Sequence, residues 1–494
     1  MRRGLVGVAI AVLLASCDGD ASECDADAIR AALASASSGD VVRVGACRVR
    51  GPFVVGQGVT LEGVGAESVI EVAEGELGVE LTGGALARLT IESRGRAGVA
   101  IGGAGEVDDV EVRAARGIAL AVRPGASGAL HAVRLVGEVT AENADDTRWV
   151  LVAPGPQTAT GCAAATCACE PGAIDGERTC DALGRWATMT ATHGLVVEGT
   201  VVADDVEVLG LARVGVLVRD ASATFDALHV ADTIGAAVVA SESELVCRDC
   251  TIERTREGLR GQPSYALITG GGTLTTEALR LTDNDRYGAV AAGGAIDHAG
   301  LVAEQQGDVV VWAAGVESLA LRALERDETI RTSIADGEFA GVVISDSAHV
   351  SISDVTIASV GSSRRPVGLI GAIEIGDGLH VIRSLEDVVM ARVEVSGAAR
   401  AGIVLDVGGA ATLPRFEQVS VDARGSALGA VAGAPVAGTD TLQVATPPGG
   451  WDSGIERLGD AVTNDAAFTG ALDAVLSAMP PSATEVLGVV APMY

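Results

Sequence analysis

The stretch DDVEVLGLARVGVLVRDASATFDALHVADTIGAAVVASESELVCRDCTIER, Asp204 to Arg254, sets the period of the chain. Within it an apolar doublet with one residue between recurs as Val206/Val208, Leu228/Val230 and Cys250/Ile252, a step of 22 residues each time. Short apolar alternations separated by glycine and aspartate turns, repeated at fixed length, are the pattern of a stacked β-solenoid. Each doublet points two side chains to one face, because alternate strand residues share a side.

Working outward, the doublets continue as Leu89/Ile91, Val110/Val112 and Val133/Leu135 on the N-terminal side. On the C-terminal side they run Leu279/Leu281, Leu301/Ala303, Leu319/Leu321, Val355/Ile357, Val393/Val395 and Val419/Val421. A solenoid grows by adding coils, so 494 residues read as one long body rather than three globular domains. Aromatic residues make up only 2% of the chain, and Ala, Val and Leu suit a narrow core between sheets. A formal net charge of -31 opposes binding to nucleic acid. The absence of lysine removes Walker-type phosphate binding and Schiff-base chemistry.

Residues 1–17 read as an export signal. Arg2 and Arg3 precede an apolar run, Leu5 to Leu14, and Leu14-Ala15-Ser16-Cys17 follows. This tetrapeptide resembles a bacterial lipobox, and the resemblance implies lipid attachment at Cys17, a membrane partner through the acyl anchor and an address in the bacterial cell envelope. From Asp25 to Ser38 the periodicity becomes helical, with Ile29, Ala32, Leu33 and Ala36 on one face, Asp25 or Asp27 as cap and Gly39 as stop. Such a helix covers the open edges of a first coil. Cys24 and Cys47 bracket it and are expected to be disulfide-bonded, as an exported chain permits.

The segment Ala28 to Val72, AIRAALASASSGDVVRVGACRVRGPFVVGQGVTLEGVGAESVIEV, resembles the opening of right-handed parallel β-helix proteins of the pectin-lyase-like superfamily. The likeness covers the first one or two coils, and the loose repeat continues beyond. It implies an all-β, right-handed, single-stranded parallel β-helix over 18–428, with an N-terminal capping helix. It implies little about activity, because that superfamily holds lyases, hydrolases, esterases, adhesins and inert scaffolds.

Two segments break the period. Between Leu135 and Val206 an insertion, about 154–192, carries Cys162, Cys167, Cys169 and Cys180; without paired C-x-x-C knuckles these read as two disulfides rather than a zinc site. It faintly resembles a short EGF-like module and is the first candidate for partner contact. Residues 429–494 form an Ala/Gly/Pro-rich linker followed by helical spacing from Ile455 to Met479, read as a short helical C-terminal cap.

Chemistry-bearing residues are sparse. Asp108-Asp109, Asp204-Asp205, Asp249 and Asp354 precede doublets and read as turn residues rather than a calcium-holding or catalytic carboxylate row. Asp283, Asp285, Arg286 and Tyr287 form the densest polar cluster and are the ligand-binding candidates. Cys247 and Cys250 form a C-x-x-C pair, read as structural because Cys250 occupies an inward doublet position. No catalytic residue and no metal ligand is assigned, no cofactor is required, and calcium is left open. The leading expectation is a lipid-anchored scaffold or binding protein for glycan or envelope protein. The alternative is a polysaccharide lyase or glycoside hydrolase of the pectin-lyase-like kind.

Overall fold

A computed structural model describes residues 21–138 and 192–457, with breaks at 212, 258–263, 362, 368–370, 383–385, 407–413, 423, 425–427, 433–436, 438–440 and 446–454. Between the two spans it also describes the short antiparallel strands Ile174–Asp175, Arg178–Cys180 and Trp186–Thr188. Cys17, Cys162, Cys167 and Cys169 lie outside the described residues, and Cys180 is described in its backbone alone.

The chain is a right-handed parallel β-helix. Two long parallel sheets run its length, a 22-stranded sheet A and a 15-stranded sheet B. One coil shows the plan: Val214–Arg219 enters sheet B, and after a turn at Asp220 the strand Ser222–Ala231 enters sheet A. Register repeats the sequence period, with Val206 opposite Leu228, Val208 opposite Val230, and Val230 opposite Ile252. The doublet side chains meet the inner residues of sheet B in one continuous core. Burying each Val or Leu contributes roughly 1.5–3 kcal/mol, which offsets the ordering of the chain coil by coil.

Sheet A is bent once per coil, and the bend has a fixed backbone signature. The residue just before the doublet takes a left-handed conformation at Arg88, Asp109, Ala132, Asp205, Ala227, Asp249, Ala278, Asp354, Arg392 and Gln418, with φ between 48° and 59°. Asp tolerates this conformation better than most residues, and that is why Asp recurs ahead of the doublets. The bend turns the second limb of each strand toward sheet B without breaking the inward alternation.

From Gly117–Val122 onward the six-residue strands of sheet B are largely buried on both faces, which explains their unbroken apolar runs. The first and fourth residues point out and the third and fifth point in. The second is held against the next coil: a Cβ at Gly215 would stand 2.5 Å from the Ala237 carbonyl oxygen, and one at Gly378 would stand 2.6 Å from that of Gly402.

Helix α1 (Ala26–Ser35) caps the first coil, with the Asp25 carboxylate accepting from the Asp27 amide at 2.9 Å. Ile29 and Leu33 are buried and Ala36 is half-buried, whereas Ala32 is exposed. Cys24 and Cys47 are disulfide-bonded, as are Cys247 and Cys250.

Two expectations change. Leu319/Leu321 lies on the first limb of sheet A, opposite Ile296/His298 and Val350/Ile352. The doublet of that coil is Thr332/Ile334, delayed by an inserted hairpin, Leu324–Glu325 with Thr329–Ile330. At the C-terminal end the strands Leu428–Ala432, Gln443–Ala445 and Ile455–Arg457 continue the two sheets. The helical spacing thus begins on a strand at Ile455, and its remainder lies outside the described residues. Val133/Leu135 pairs directly with Val206/Val208, so no coil intervenes across the longest break and the residues between are an insertion.

Candidate functional site

The sequence-derived cluster is brought together, but in ion pairs and packing. Asp283 holds the left-handed position closing its coil, with φ 54°. Its carboxylate accepts from Arg256 at 2.6 Å, and that hydrogen bond holds it below the usual carboxylate range. Arg256 also reaches Asp285 at 3.0 Å. Arg286 contacts Glu257 and lies 3.1 Å from Asp308. Tyr287 stacks on Tyr265 at 5.2 Å and meets Trp312 edge-on at 5.9 Å. Between them Asn284 is buried, accepting from the Thr255 amide and donating to Gln306. Three of the four candidates are therefore committed to neighbours across coils, and Tyr287 belongs to an aromatic ladder.

That ladder leads to the outer face of sheet B. Its outward residues include Val214 and Leu217, Ala236 and Val239, Tyr265 and Ile268, Val309 and Trp312, all solvent-excluded. Four polar atoms on this face are buried without a hydrogen-bond partner: His193 Nδ1, Tyr265 OH, Trp312 Nε1 and His380 Nε2. Such atoms are rare, and their alignment on one face marks it as a place for a hydrogen-bonding ligand or ordered water. Burial, reinforced by the Arg213 charge, pushes the His193 pKa down to about 3, so the ring is neutral.

Near the far end of this face sits a constellation that also holds a buried carboxylate. Asp377 and His380 occupy the first and fourth positions of the strand Asp377–Ile382, and Arg400 arrives from the next coil. Arg400 Nε donates to Asp377 Oδ1 at 2.7 Å, and its terminal nitrogen contacts Oδ2. His380 Nδ1 lies 3.0 Å from Asp377 Oδ2. A carboxylate accepts only, so Nδ1 carries a proton, and in the neutral form of the ring Nε2 presents its lone pair. Burial opposes ionisation of Asp377, but the Arg400 charge and the hydrogen bonds from His380 and Arg400 outweigh it, and its pKa lies well below the usual range. The strand is entered through an inserted antiparallel hairpin, Ser363–Val367 with Gly371–Ile375. Sequence reading missed this triad: Asp377 and His380 form no known motif, and Arg400 is a coil away.

Other candidates resolve into structure. Asp109, Asp205, Asp249 and Asp354 hold bends, and Asp354 and Asp249 are paired with Arg392 and Arg326. The buried Cys247–Cys250 disulfide lies in the core. His349, Glu386 and Asp387 bring three possible metal-ligand atoms within 4.8 Å of one another. His349 faces Asp387 with Nδ1 and Glu386 with Nε2, and the Asp387 hydrogen bond raises its pKa, so the cluster favours an imidazolium between carboxylates.

No family model and no curated protein matches the chain. Among solved structures, the periplasmic alginate epimerase AlgG is similar at 9% identity and a TM-score of 0.35, over 88% of this chain and 82% of that one. The catalytic unit of a GH87 α-1,3-glucanase from Streptomyces thermodiastaticus is similar at 12% identity and a TM-score of 0.33, over 84% and 67%. An Azotobacter vinelandii mannuronan C-5 epimerase A-module is similar at 14% identity and a TM-score of 0.25, over 87% and 94%. At these values the likeness is one of fold and assigns no residue a role.

Proposed function

We propose that the protein is a lipid-anchored envelope β-helix that cleaves a carboxylated polysaccharide by proton abstraction, with His380 as the base. The observation that carries this reading is the carboxylate-oriented imidazole whose Nε2 is unpartnered beside the Arg400 charge. Nε2 takes the proton from the ring carbon α to the sugar carboxylate. The released electron pair forms a carbon–carbon double bond and expels the glycosidic oxygen, which takes up the proton that Nε2 has carried. Arg400 offsets charge developing on the carboxylate, and exclusion of water strengthens its field. Hydrolysis would require two carboxyl groups across the bond. Asp377, committed to Arg400, is the carboxylate of the triad, so elimination is favoured over hydrolysis. Because Asp377 and His380 are buried, substrate entry requires this face to open.

The test is a depolymerisation screen of the full chain on alginate, pectate and neutral glucans, read by absorbance of unsaturated ends. His380→Gln is expected to reduce turnover roughly 10²- to 10⁴-fold with unchanged circular dichroism. Equal activity in the variant would rule out this base. A second reading, a non-catalytic scaffold, draws on the full burial of Asp377, as in a structural ion pair. It predicts that His380→Gln lowers stability while no polysaccharide is cleaved by either protein. The anchor rests on Leu14-Ala15-Ser16-Cys17. Labelled palmitate should be incorporated in cells and lost on Cys17→Ala; incorporation unchanged by that substitution would exclude lipidation there.

A further inference from the structure

A second ligand site is carried by the opposite end of the molecule, independently of the triad. An open groove of about 770 Å³ crosses the first coils along the second limb of sheet A. Arg48, Arg50, Arg94 and Arg113 line it together with Glu71, Glu92 and Glu138. Register stacks Arg50 on Glu71, Glu71 on Glu92, and Glu92 on Arg113. An alternating ladder of this kind is by itself a solvated surface. Arg48 fits that description, donating to Glu71 at 2.7 Å and contacting Glu92. Arg113 fits it as well, at 3.7 Å from Glu92 and in contact with Glu111.

Two arginines do not. Arg94 is exposed and has neither ion pair nor side-chain hydrogen bond among the described residues. Arg50 has one carboxylate contact, Glu76 at 3.4 Å, at the far limit of a hydrogen bond. Arg50 and Arg94 lie two coils apart, about 10 Å along the axis at about 4.8 Å per coil. We infer that this groove binds a carboxylated glycan, with Arg94 and Arg50 each receiving a sugar carboxylate. The guanidinium fork matches a carboxylate in two parallel hydrogen bonds. The pairing selects the ligand class: Arg48 and Arg113 are matched by Glu71, Glu92 and Glu111, so the positive charge offered to a ligand is that of Arg94 and the weakly held Arg50, which suits singly charged groups spaced along a polymer. A phosphate group, with a charge near -2, would meet those glutamates at greater cost. Arg94 and Arg50 lie nine and eleven coils from the triad, on the order of 45–50 Å. A bound polymer held there would be retained whether or not the triad acts on it.

The experiment measures binding of a fluorescent oligogalacturonate to the full chain in detergent, by anisotropy. A neutral glucan oligosaccharide of equal length and a sulfated dextran serve as comparison ligands. Arg94→Ala is expected to weaken oligogalacturonate binding about fivefold, and Arg50→Ala/Arg94→Ala more than tenfold. Arg94→Lys should restore part of the loss, and Arg88→Ala, outside the groove and paired with Glu62, should leave binding within about twofold. Unaltered melting of each variant separates lost contact from lost fold. Affinity unchanged by Arg94→Ala, equal affinity for the neutral glucan, or tighter binding of the sulfated polymer would each overturn the assignment. The same titration in His380→Gln keeps the outcome distinct from the lyase reading, since that variant should bind as the parent does.

Discussion

Two buried histidines make the fold sensitive to acid. His193 faces Arg213, and burial with that charge lowers its pKa to about 3. His298 is lowered to about 4 by burial, opposed by the neighbouring Asp297 charge, and its Nδ1 lies 2.7 Å from the Thr276 hydroxyl. Both folded values lie below the ordinary 6.5. The unfolded chain therefore takes up protons that the folded one refuses, and stability falls as pH drops below about 6.5, by about 1.4 kcal/mol per pH unit for each ring. The depressed pKa of Asp377 acts elsewhere: its contribution is present above the ordinary carboxylate range and is lost only on stronger acidification. Urea midpoints at pH 7, 5 and 4 should decline in the parent chain and decline about half as steeply in His298→Gln. A flat profile in the parent would refute the assignment of neutral buried rings. The same residue scale explains the aspartates before the doublets, whose backbone position is left-handed at Asp109, Asp205, Asp249 and Asp354.

At the scale of elements, insertions enter at bends and turns and leave the strand ladders intact. The hairpin Leu324–Ile330 sits at a sheet A bend and folds back along the helix, where Arg326 reaches Asp249 at 2.8 Å and Glu277 at 3.3 Å. It passes over Gly300, in the left-handed position with φ 67°, where a Cβ would stand 2.9 Å from that of Leu324. A glycine is required there for two reasons, backbone conformation and the close approach of the hairpin. The longer hairpin Ser363–Ile375 enters just ahead of Asp377, so a break in the period marks the strand with the candidate base. The widened coil before Leu279 similarly leads into Tyr265 and the aromatic ladder. Helix α1 ends the stack at the other pole, fixed by its Asp25 cap and tied to the first coil by Cys24–Cys47.

For the whole molecule, stability is the sum of similar coils, each contacting its neighbours. Removing one complete period should therefore close the stack again. Deleting the 22 residues Gly210–Ala231 joins Leu209 to Asp232, and these flanks lie at equivalent points of successive coils. The shortened chain should keep its β-sheet circular dichroism and melt as one cooperative unit. Deleting the 11 residues Asp220–Val230 removes half a coil, and that variant should lose the cooperative transition because inward and outward residues no longer align. If both deletions melted alike, register would not be the organising constraint. Charge also acts at this scale: among the described residues most arginines lie in inter-coil ion pairs, and Arg94 is one of the few exposed ones that do not, in a chain of net charge -31.

The 22-residue doublet period by itself determined the solenoid, because strand alternation and coil length are local properties written into consecutive residues. The N-terminal helix was equally legible from its cap and its Ile29/Leu33 face. Periodicity could not assign Leu319/Leu321 to its limb, since both limbs of sheet A carry the same inward alternation and only pairing distinguishes them. Nor could it expose the site. Asp377, His380 and Arg400 become neighbours because one coil stacks on the next, and Arg94 stands out only once Arg48 and Arg113 beside it are seen to be paired with carboxylates. Contacts between coils depend on how many residues each turn and insertion consumes, and that length is decided by tertiary packing.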